Sequence, residues 1–176
     1  MLQSRNPSRW HGCRFSSLMW NGQRVLYLEN EVLRIGINVD KGAEIFEFRY
    51  KPADVDAMWH RDCASPQNLS SSAVPASGAD AFFDRYIGGW QESFPVGNSA
   101  GLFDRAQMSL HGEVSLLPWQ FYVLEDAPGR VEIEFSVECV RTPFQLKRRM
   151  SIESGIPGVL LDETILNTGR VAVPFV

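Results

Sequence analysis

Apolar and polar residues alternate along several short stretches of this chain, and no helical period holds for three turns. The clearest stretch, Val131–Val140, has apolar residues at the odd positions through Cys139 and acidic residues or serine at the even positions through Glu138. Since successive side chains of a strand point to opposite faces, this pattern predicts a strand with one packed face and one face in solvent.

Further runs of β-branched and aromatic residues predict more strands, and Gly, Pro, Asn and Asp separate them. These runs are Val25–Leu28, Val32–Val39, Glu44–Tyr50, Trp119–Leu124, Phe144–Ile152 and Val159–Leu166. The turn signals in the second half of the chain are Pro128-Gly129, Gly155–Gly158 and Asn167–Gly169. Antiparallel sheets with one wet face usually pack in pairs, so the sequence predicts an all-β fold, a large antiparallel β-sandwich.

A long segment between Arg61 and Arg105 does not show this pattern of short strand-like runs separated by turn residues. It begins with the Ser/Ala-rich stretch Ser65–Ala79 and continues into the aromatic run Phe82–Pro95. Long irregular loops in compact domains are usually functional or disordered, and the aromatic residues argue against disorder. This segment is therefore the first candidate for a binding site.

The Gly88–Glu92 part of this run has the chemistry that a sugar site needs. The Trp90 indole can stack on the apolar face of a pyranose, while Gln91 and Glu92 can bind vicinal hydroxyls. The two glycines before Trp90 would let the backbone approach a ligand closely. The alternative is a core-filling tryptophan flanked by exposed polar residues.

His111 is the candidate acid–base residue. An imidazole titrates near neutrality, so His111 can act as a general acid or base, with Gly112 keeping the backbone open and Glu113 orienting or pairing with it. The alternative for a histidine without a second catalytic group beside it in the sequence is a structural or surface role.

The composition excludes several classes of function. The 176 residues are 44% hydrophobic and 22% charged, as in ordinary globular proteins, and the net charge of −4 argues against a nucleic-acid partner. The basic run Lys147–Arg149 lies within a predicted strand and is interpreted as a solvated face. No apolar stretch reaches the roughly 20 residues of a membrane span, so we expect no membrane association.

The cysteines and histidines indicate neither a disulfide framework nor a metal site. The chain has 3 cysteines, which suits reduced thiols in a cytoplasm. The pairs His11/Cys13 and His60/Cys63 do not follow a zinc-binding spacing, so no metal is predicted. The sequence contains no phosphate-binding loop, and no cofactor is predicted.

Four sequence blocks resemble bacterial aldose epimerase-like proteins of the galactose mutarotase superfamily. The blocks are Lys41–Ile45 with Lys51–Asp56 and Trp59, then Gly88–Pro95, then Leu110–Val114 with Pro118-Trp119, and finally Thr164–Gly169 before Pro174-Phe175. The resemblance covers about residues 24–176, and the second and third blocks are its most specific part.

The resemblance implies a two-sheet supersandwich that binds a hexose or a related sugar, with or without a phosphate group, and interconverts its anomers. It implies a catalytic role for His111. The predicted substrate contacts are Trp90, Gln91, Glu92, Glu113 and Arg85. The reaction needs an acid and a base on either side of one sugar carbon. The resemblance places the second histidine and the base beyond Val176.

The chain finishes on the apolar run Val171–Val176, which would be unusual for a complete domain. We therefore expect a variable N-terminal segment at residues 1–23, and at residues 24–176 the N-terminal portion of one mutarotase-like domain, incomplete at its C-terminus. The predicted function is that of a carbohydrate-binding aldose epimerase-like isomerase, which interconverts sugar anomers in its full-length form. The alternatives are a non-catalytic carbohydrate-binding or sensing domain, and an accessory domain of a larger carbohydrate-active enzyme. The sequence does not indicate an oligomeric state.

Overall fold

The computed structural model of the protein describes residues 9–62, 80–97, 100–103 and 106–175. The Ser65–Ala79 stretch, Cys63 and Val176 lie outside these residues. The described residues form antiparallel sheets with one short helix and one 3₁₀ turn, so the predicted all-β fold is confirmed. None of their helices is long and apolar enough to span a bilayer.

The first sheet is a five-stranded meander in the order β1-β2-β3-β4-β5. Its strands are β1 (Arg14–Trp20), β2 (Gln23–Glu29), β3 (Leu33–Asn38), β4 (Glu44–Tyr50) and β5 (Val55–Asp56). A 3₁₀ turn at Lys51–Ala53 joins the last two strands. Residues 14–20, within the predicted variable segment, thus form an edge strand of this sheet.

Between the two main sheets, the residues that the structure describes contain three short elements. They are the helix α1 (Asp80–Phe83) and the paired strands β6 (Gly101–Phe103) and β7 (Ala106–Met108). The described part of this segment contains no long strand, in agreement with the lack of a strand pattern in its sequence.

The second main sheet is a four-stranded meander in the order β11-β10-β9-β8. Its strands are β8 (Gln120–Asp126), β9 (Arg130–Glu138), β10 (Phe144–Glu153) and β11 (Leu160–Asn167). The turn predicted at Pro128-Gly129 joins the first two of these strands, and the connection predicted at Gly155–Gly158 joins the last two.

The two main sheets pack face to face around one apolar core. The core combines residues such as Leu26 and Ile35 of the first sheet with Ile133, Phe135 and Met150 of the second, all of them fully buried. The alternation that predicted β9 is present in its burial, because every second residue from Val131 to Val137 faces the core. Apolar burial of this kind stabilises a fold by about 25 cal/mol per Å².

The basic run in β10 only partly matches its interpretation as a solvated face. Lys147 and Arg149 are exposed, but Arg148 is buried at 4% exposure on the same face as Leu146 and Met150. The period of the strand requires this, since residues two positions apart share a face. The interpretation was therefore wrong for Arg148, whose buried guanidinium must find partners inside the protein.

Candidate functional site

The two most specific sequence blocks lie side by side in space. Phe94, from the Gly88–Pro95 block, forms a parallel bridge with Gly112. The Phe94 amide donates to the His111 carbonyl at 3.2 Å, and the Glu113 amide donates to the Phe94 carbonyl at 3.1 Å. These bonds place the segment that carries Trp90, Gln91 and Glu92 beside the segment that carries His111.

The backbone turn at His111 depends on two consecutive left-handed residues. His111 has φ of 63° and Gly112 has φ of 78°. A Cβ atom at Gly112 would lie 2.0 Å from the Phe94 carbonyl oxygen, so only glycine fits against the neighbouring segment. A non-glycine residue with positive φ is uncommon, and such residues concentrate at functional sites.

The contacts of the His111 side chain determine which ring nitrogen is available. Its Nδ1 lies 2.6 Å from the Gly97 carbonyl oxygen. A carbonyl only accepts hydrogen bonds, so Nδ1 carries the proton and, in the neutral ring, Nε2 keeps the free lone pair. This tautomer makes Nε2 a hydrogen-bond acceptor in the neutral form and a donor in the cation.

Aromatic rings pack along one side of the imidazole. Phe82 contacts His111 edge to face with a centroid separation of 4.5 Å. Phe82 also stacks on Tyr86 at 5.2 Å, and Tyr86 stacks on Trp59 at 5.9 Å. The row begins at the exposed Trp59 and ends at His111, and it restricts the orientation of the imidazole ring.

Trp90 is 47% exposed, so it is not the core-filling tryptophan that its sequence left open as the alternative. Its backbone amide donates to the Ile45 carbonyl at 2.8 Å, and the Ile45 amide donates to the Trp90 carbonyl at 3.0 Å. Trp90 is therefore fixed to the first sheet through its backbone while much of its side chain remains accessible.

The two glycines before Trp90 let the site segment approach other parts of the protein backbone, not a ligand as the sequence suggested. A Cβ at Gly88 would lie 2.1 Å from the Trp59 carbonyl oxygen, and one at Gly89 would lie 2.6 Å from the Ile45 carbonyl oxygen. The protein's own backbone occupies the space that these glycines leave open. Their role is close packing of the site segment against β4 and the Trp59-His60 segment.

Buried charged residues hold both polar candidates of this segment. Gln91 donates from Nε2 to Glu44, and Glu92 accepts from Nη2 of Arg148. Arg148 also donates from Nε to Glu163 at 2.5 Å and from Nη1 to the Ala43 carbonyl at 3.3 Å. Sequence reasoning assigned no role to Glu44, Arg148 or Glu163.

The environment of Glu92 favours its protonated form. Burial raises the pKa of its carboxyl group most, the Arg148 guanidinium counteracts this, and the neighbouring Glu163 carboxylate raises the pKa further. The net direction is upward from the ordinary value of 4.5. The two carboxylates that bond the Arg148 guanidinium, those of Glu92 and Glu163, can thus hold a proton between them.

The other predicted contacts have different surroundings. Glu113 is 6% exposed and accepts from the Val140 amide at 2.8 Å, from the Arg141 amide and from the Thr142 hydroxyl at 2.9 Å. Both carboxylate oxygens of Glu113 thus accept hydrogen bonds from the turn that follows β9. Arg85 is partly buried and follows α1, with its amide donating to a carbonyl of that helix.

The described residues contain no group of three or more His, Cys, Asp or Glu side chains arranged to hold a metal ion. The described site combines the imidazole of His111, held through Nδ1, with the exposed Trp90 and the anchored side chains of Gln91 and Glu92.

Comparison with known proteins supports the fold. No family model and no curated protein matches the chain. A solved structure, the crystal structure of HI1317, is similar with a TM-score of 0.51 and 16% sequence identity. The similarity covers 80% of this chain and 48% of the other, so the chain spans about half the length of that protein. At this level of identity the likeness shows a shared fold.

Proposed function

We propose that this chain carries a carbohydrate site of the aldose epimerase type, in which His111 takes part in acid–base interconversion of sugar anomers. The observation that carries the proposal is the tautomer of His111. With Nδ1 donating to the Gly97 carbonyl, Nε2 is the atom that can exchange a proton with a sugar oxygen. The resemblance of the Gly88–Pro95 and Leu110–Val114 blocks to galactose mutarotase-like proteins supports the same function.

The reaction explains why a histidine is suited to this position. Opening a cyclic hemiacetal removes a proton from the anomeric hydroxyl and adds one to the ring oxygen, and closing the ring reverses both transfers. A group with a pKa near neutrality does either step without a large energetic penalty. His111 supplies one of the two proton-transfer groups that this chemistry requires.

The surrounding side chains fit the binding of a sugar. Trp90 is 47% exposed, and an indole ring has an apolar face that can pack on the C–H face of a pyranose. The neighbouring Gln91 and Glu92 provide hydrogen-bonding groups whose positions are fixed by bonds to the core. The proposed ligand is a hexose or a related sugar, with or without a phosphate group.

A reducing cytoplasmic compartment is part of this proposal. Cys13 and Cys139 are unpaired thiols, and burial raises the pKa of both, which keeps them protonated and unreactive.

The test uses the protein in its full-length form, since the resemblance places the second histidine and the base beyond Val176. It is anomer interconversion measured by polarimetry on freshly dissolved D-glucose and D-galactose, with His111→Asn as the variant. Asparagine can hydrogen-bond a sugar oxygen but cannot transfer a proton, so we expect the catalysed rate to fall about 100- to 10,000-fold. The matched control is His11→Asn, which changes an exposed histidine of the N-terminal segment and should leave the rate unchanged.

Two results would contradict the catalytic proposal. A His111→Asn rate close to that of the wild type would show that His111 transfers no proton. A wild-type protein that binds the sugars in a titration but does not accelerate their interconversion would instead favour the non-catalytic carbohydrate-binding function. The melting temperature of each variant separates a loss of chemistry from a loss of folding.

A further inference from the structure

A group of linked charges joins the site segment, Gly88–Pro95, to the second sheet. We call it the Arg148 cluster; its members are Glu92, Arg148 and Glu163. Glu92 comes from the site segment, Arg148 from β10 and Glu163 from β11. The proposed reaction uses Glu92 as a hydrogen-bonding contact, and it gives Arg148 and Glu163 no part in the chemistry.

The two carboxylates of the cluster lie on the same edge of the Arg148 guanidinium. Glu163 accepts through Oε1 from Nε at 2.5 Å, and Glu92 accepts through Oε2 from Nη2. In a bidentate pair, the two oxygens of a single carboxylate take two such neighbouring donors. Here each donor bonds a different carboxylate, so one oxygen of Glu92 and one oxygen of Glu163 must lie close to each other.

A single guanidinium cannot neutralise two ionised carboxylates. When two carboxyl groups share a site, one of them keeps its proton to a higher pH, because the proton removes their mutual repulsion. Glu92 is the group that keeps it, since its side chain is 20% exposed whereas that of Glu163 is 38% exposed. The direction of the Glu92 pKa agrees, because burial raises it most, Arg148 lowers it and Glu163 raises it again.

The charges on the other side of the site segment compensate each other. Lys41 and Glu44, which lie beside Gln91, form a buried ion pair. Such a pair acts on its surroundings more weakly than a lone charge, since its two fields oppose each other. Among the described residues, the charges that act most on Glu92 are therefore those of the Arg148 cluster itself.

The Arg148 cluster is open to a ligand. Solvent reaches the side chains of both glutamates, and one oxygen of each, Oε1 of Glu92 and Oε2 of Glu163, has no bond to Arg148. Glu92 is two residues before Phe94, whose amide donates to the His111 carbonyl at 3.2 Å. Two residues span at most about 7 Å, so the backbone places Glu92 and His111 in the same small region.

We propose that Arg148 and Glu163 are positioning residues that keep Glu92 as a protonated acid, and that Glu92 is the second proton-transfer group of the site. This inference rests on the proposed function, in which His111 is the first. As the sugar ring opens, Glu92 gives its proton to the ring oxygen, which takes the electron pair of the breaking C1–O bond. Nε2 of neutral His111 takes the proton of the anomeric hydroxyl, and the electron pair of that O–H bond completes the carbonyl group. Ring closure on the other face of the carbonyl reverses both transfers.

Glu163 suits Glu92 to a transfer that must run in both directions. Once Glu92 has given up its proton, two carboxylates face one guanidinium, and their repulsion favours the return of the proton. An isolated glutamate with an ordinary pKa of 4.5 is ionised at neutral pH and has no proton to give. A carboxyl group whose pKa is raised towards the working pH is a better acid–base group.

The first measurement needs no sugar. The carboxyl resonances of ¹³C-labelled glutamate are followed in a pH titration, and the Glu92 resonance is identified by its loss in Glu92→Gln. The pKa of Glu92 should lie above the ordinary 4.5 in the wild type and should fall in Glu163→Gln, because the neighbouring carboxylate is gone. The control Glu134→Gln removes a carboxylate that pairs with Arg149 on the outer face of the sheet, and it should leave the pKa of Glu92 unchanged. A wild-type value at or below 4.5, or no fall in Glu163→Gln, would overturn the proposal.

The second measurement follows anomer interconversion of D-glucose by polarimetry across a range of pH, with the protein in its full-length form. Glu92→Gln should lower the rate at least about 100-fold, because an amide cannot transfer the proton. Glu163→Gln should change kcat more than KM and move the pH optimum to lower pH, since the pKa of Glu92 falls. A rate close to that of the wild type in Glu92→Gln would show that the acid lies elsewhere. An unmoved optimum in Glu163→Gln would overturn the positioning role, because a merely structural Glu163 would leave the optimum in place.

Another variant keeps the test decisive if Glu92→Gln fails to fold. Glu92→Asp removes the labelled glutamate but keeps a carboxyl group, so it identifies the resonance, and Glu163→Gln then decides through the pKa and the pH optimum. If the wild-type protein does not accelerate interconversion, the proposed function fails and the acid role of Glu92 fails with it. The carboxyl titration decides separately whether Arg148 and Glu163 keep Glu92 protonated.

Discussion

Replacing the buried Arg148 by methionine should destabilise the protein far more than the same replacement at its neighbour Arg149. Arg148 is 4% exposed and bonds Glu92, Glu163 and the Ala43 carbonyl. Breaking a buried ion pair from one side costs about 3–5 kcal/mol, because the remaining charge is left without compensation. The Glu163 side chain is 38% exposed, so water screens part of that charge and the lower end, about 3 kcal/mol, applies.

Arg149 is the matched control on the same strand. Its side chain is 56% exposed and pairs with Glu134 at 2.9 Å on the outer face of the sheet. Exposed ion pairs contribute little to stability, so the urea midpoint of Arg149→Met should stay close to that of the wild type. Urea unfolding followed by far-ultraviolet circular dichroism measures both variants. With an m-value of about 2 kcal/mol/M, the midpoint of Arg148→Met should fall by about 1.5 M.

The pH dependence of this difference provides an independent check. The pKa of Glu92 is raised by burial and lowered by Arg148, so removal of the guanidinium should raise it further. A carboxyl with a raised folded-state pKa stabilises the protein when protonated, and that stabilisation is lost as the pH rises through the folded-state value. The deficit of Arg148→Met should therefore shrink as the pH falls from about 7 towards the ordinary pKa of 4.5. Equal midpoints for the two arginine variants at neutral pH would refute the reasoning.

Three further outcomes are expected. Gly112→Ala should lower the free energy of unfolding in urea by at least about 3 kcal/mol, since its Cβ would lie 2.0 Å from a carbonyl oxygen. The control Gly155→Ala has a similar φ of 73° but no atom within 4 Å, so it should cost about 1 kcal/mol. Similar losses in the two variants would contradict the close approach at Gly112. Hydrogen bonds from its own backbone amide and then from that of Gly155 lower the pKa of Glu31 to about 2. Ionised Glu31 therefore stabilises the fold above its ordinary pKa of 4.5, and this stabilisation is lost as the pH falls from 4.5 to 2. Glu31→Gln should flatten the acid-unfolding curve over that range, and a curve parallel to that of the wild type would argue against the shift. β11 is an exposed edge strand with Leu160 at 65% exposure, and such strands pair with other chains. The 176-residue chain should therefore elute in size-exclusion chromatography as a species larger than 19.9 kDa. A monomer with a cooperative melt would be evidence against this.

The strands were predictable because the alternation that defines them is local. The seven predicted strands are present, and the bounds of β4 agree with its predicted range. β1 was missed because its sequence does not alternate, and as an edge strand it has no fully buried residue. The Asn21-Gly22 pair is the signal that could have found it. Both residues have positive φ, which joins Trp20 to Gln23 in a two-residue hairpin.

The site was predictable only in part, since its contacts join residues far apart in the chain. Trp90 and His111 could be proposed from residue chemistry, but the bridge between Phe94 and Gly112 that brings their segments together has no local signal. Arg148 did have a local signal, because the alternation along β10 places it on the face of the strand that points into the core. A charged residue in such a register predicts a buried partner, and the partner is Glu92 of the site segment.

Buried charges from both sheets converge on two consecutive residues of the site. Gln91 is held by Glu44 at the start of β4 in the first sheet, and Glu92 is held by Arg148 in β10 of the second. Ion pairs in a core contribute little net stability, since well-packed apolar residues often do as well or better. Their specific effect here is geometric, because each fixes a polar side chain that an apolar residue could not orient. Arg148 also donates to the carbonyl of Ala43, the residue before Glu44 in the turn that leads into β4, so β10 is bonded to the part of the chain that holds Gln91 as well as to Glu92.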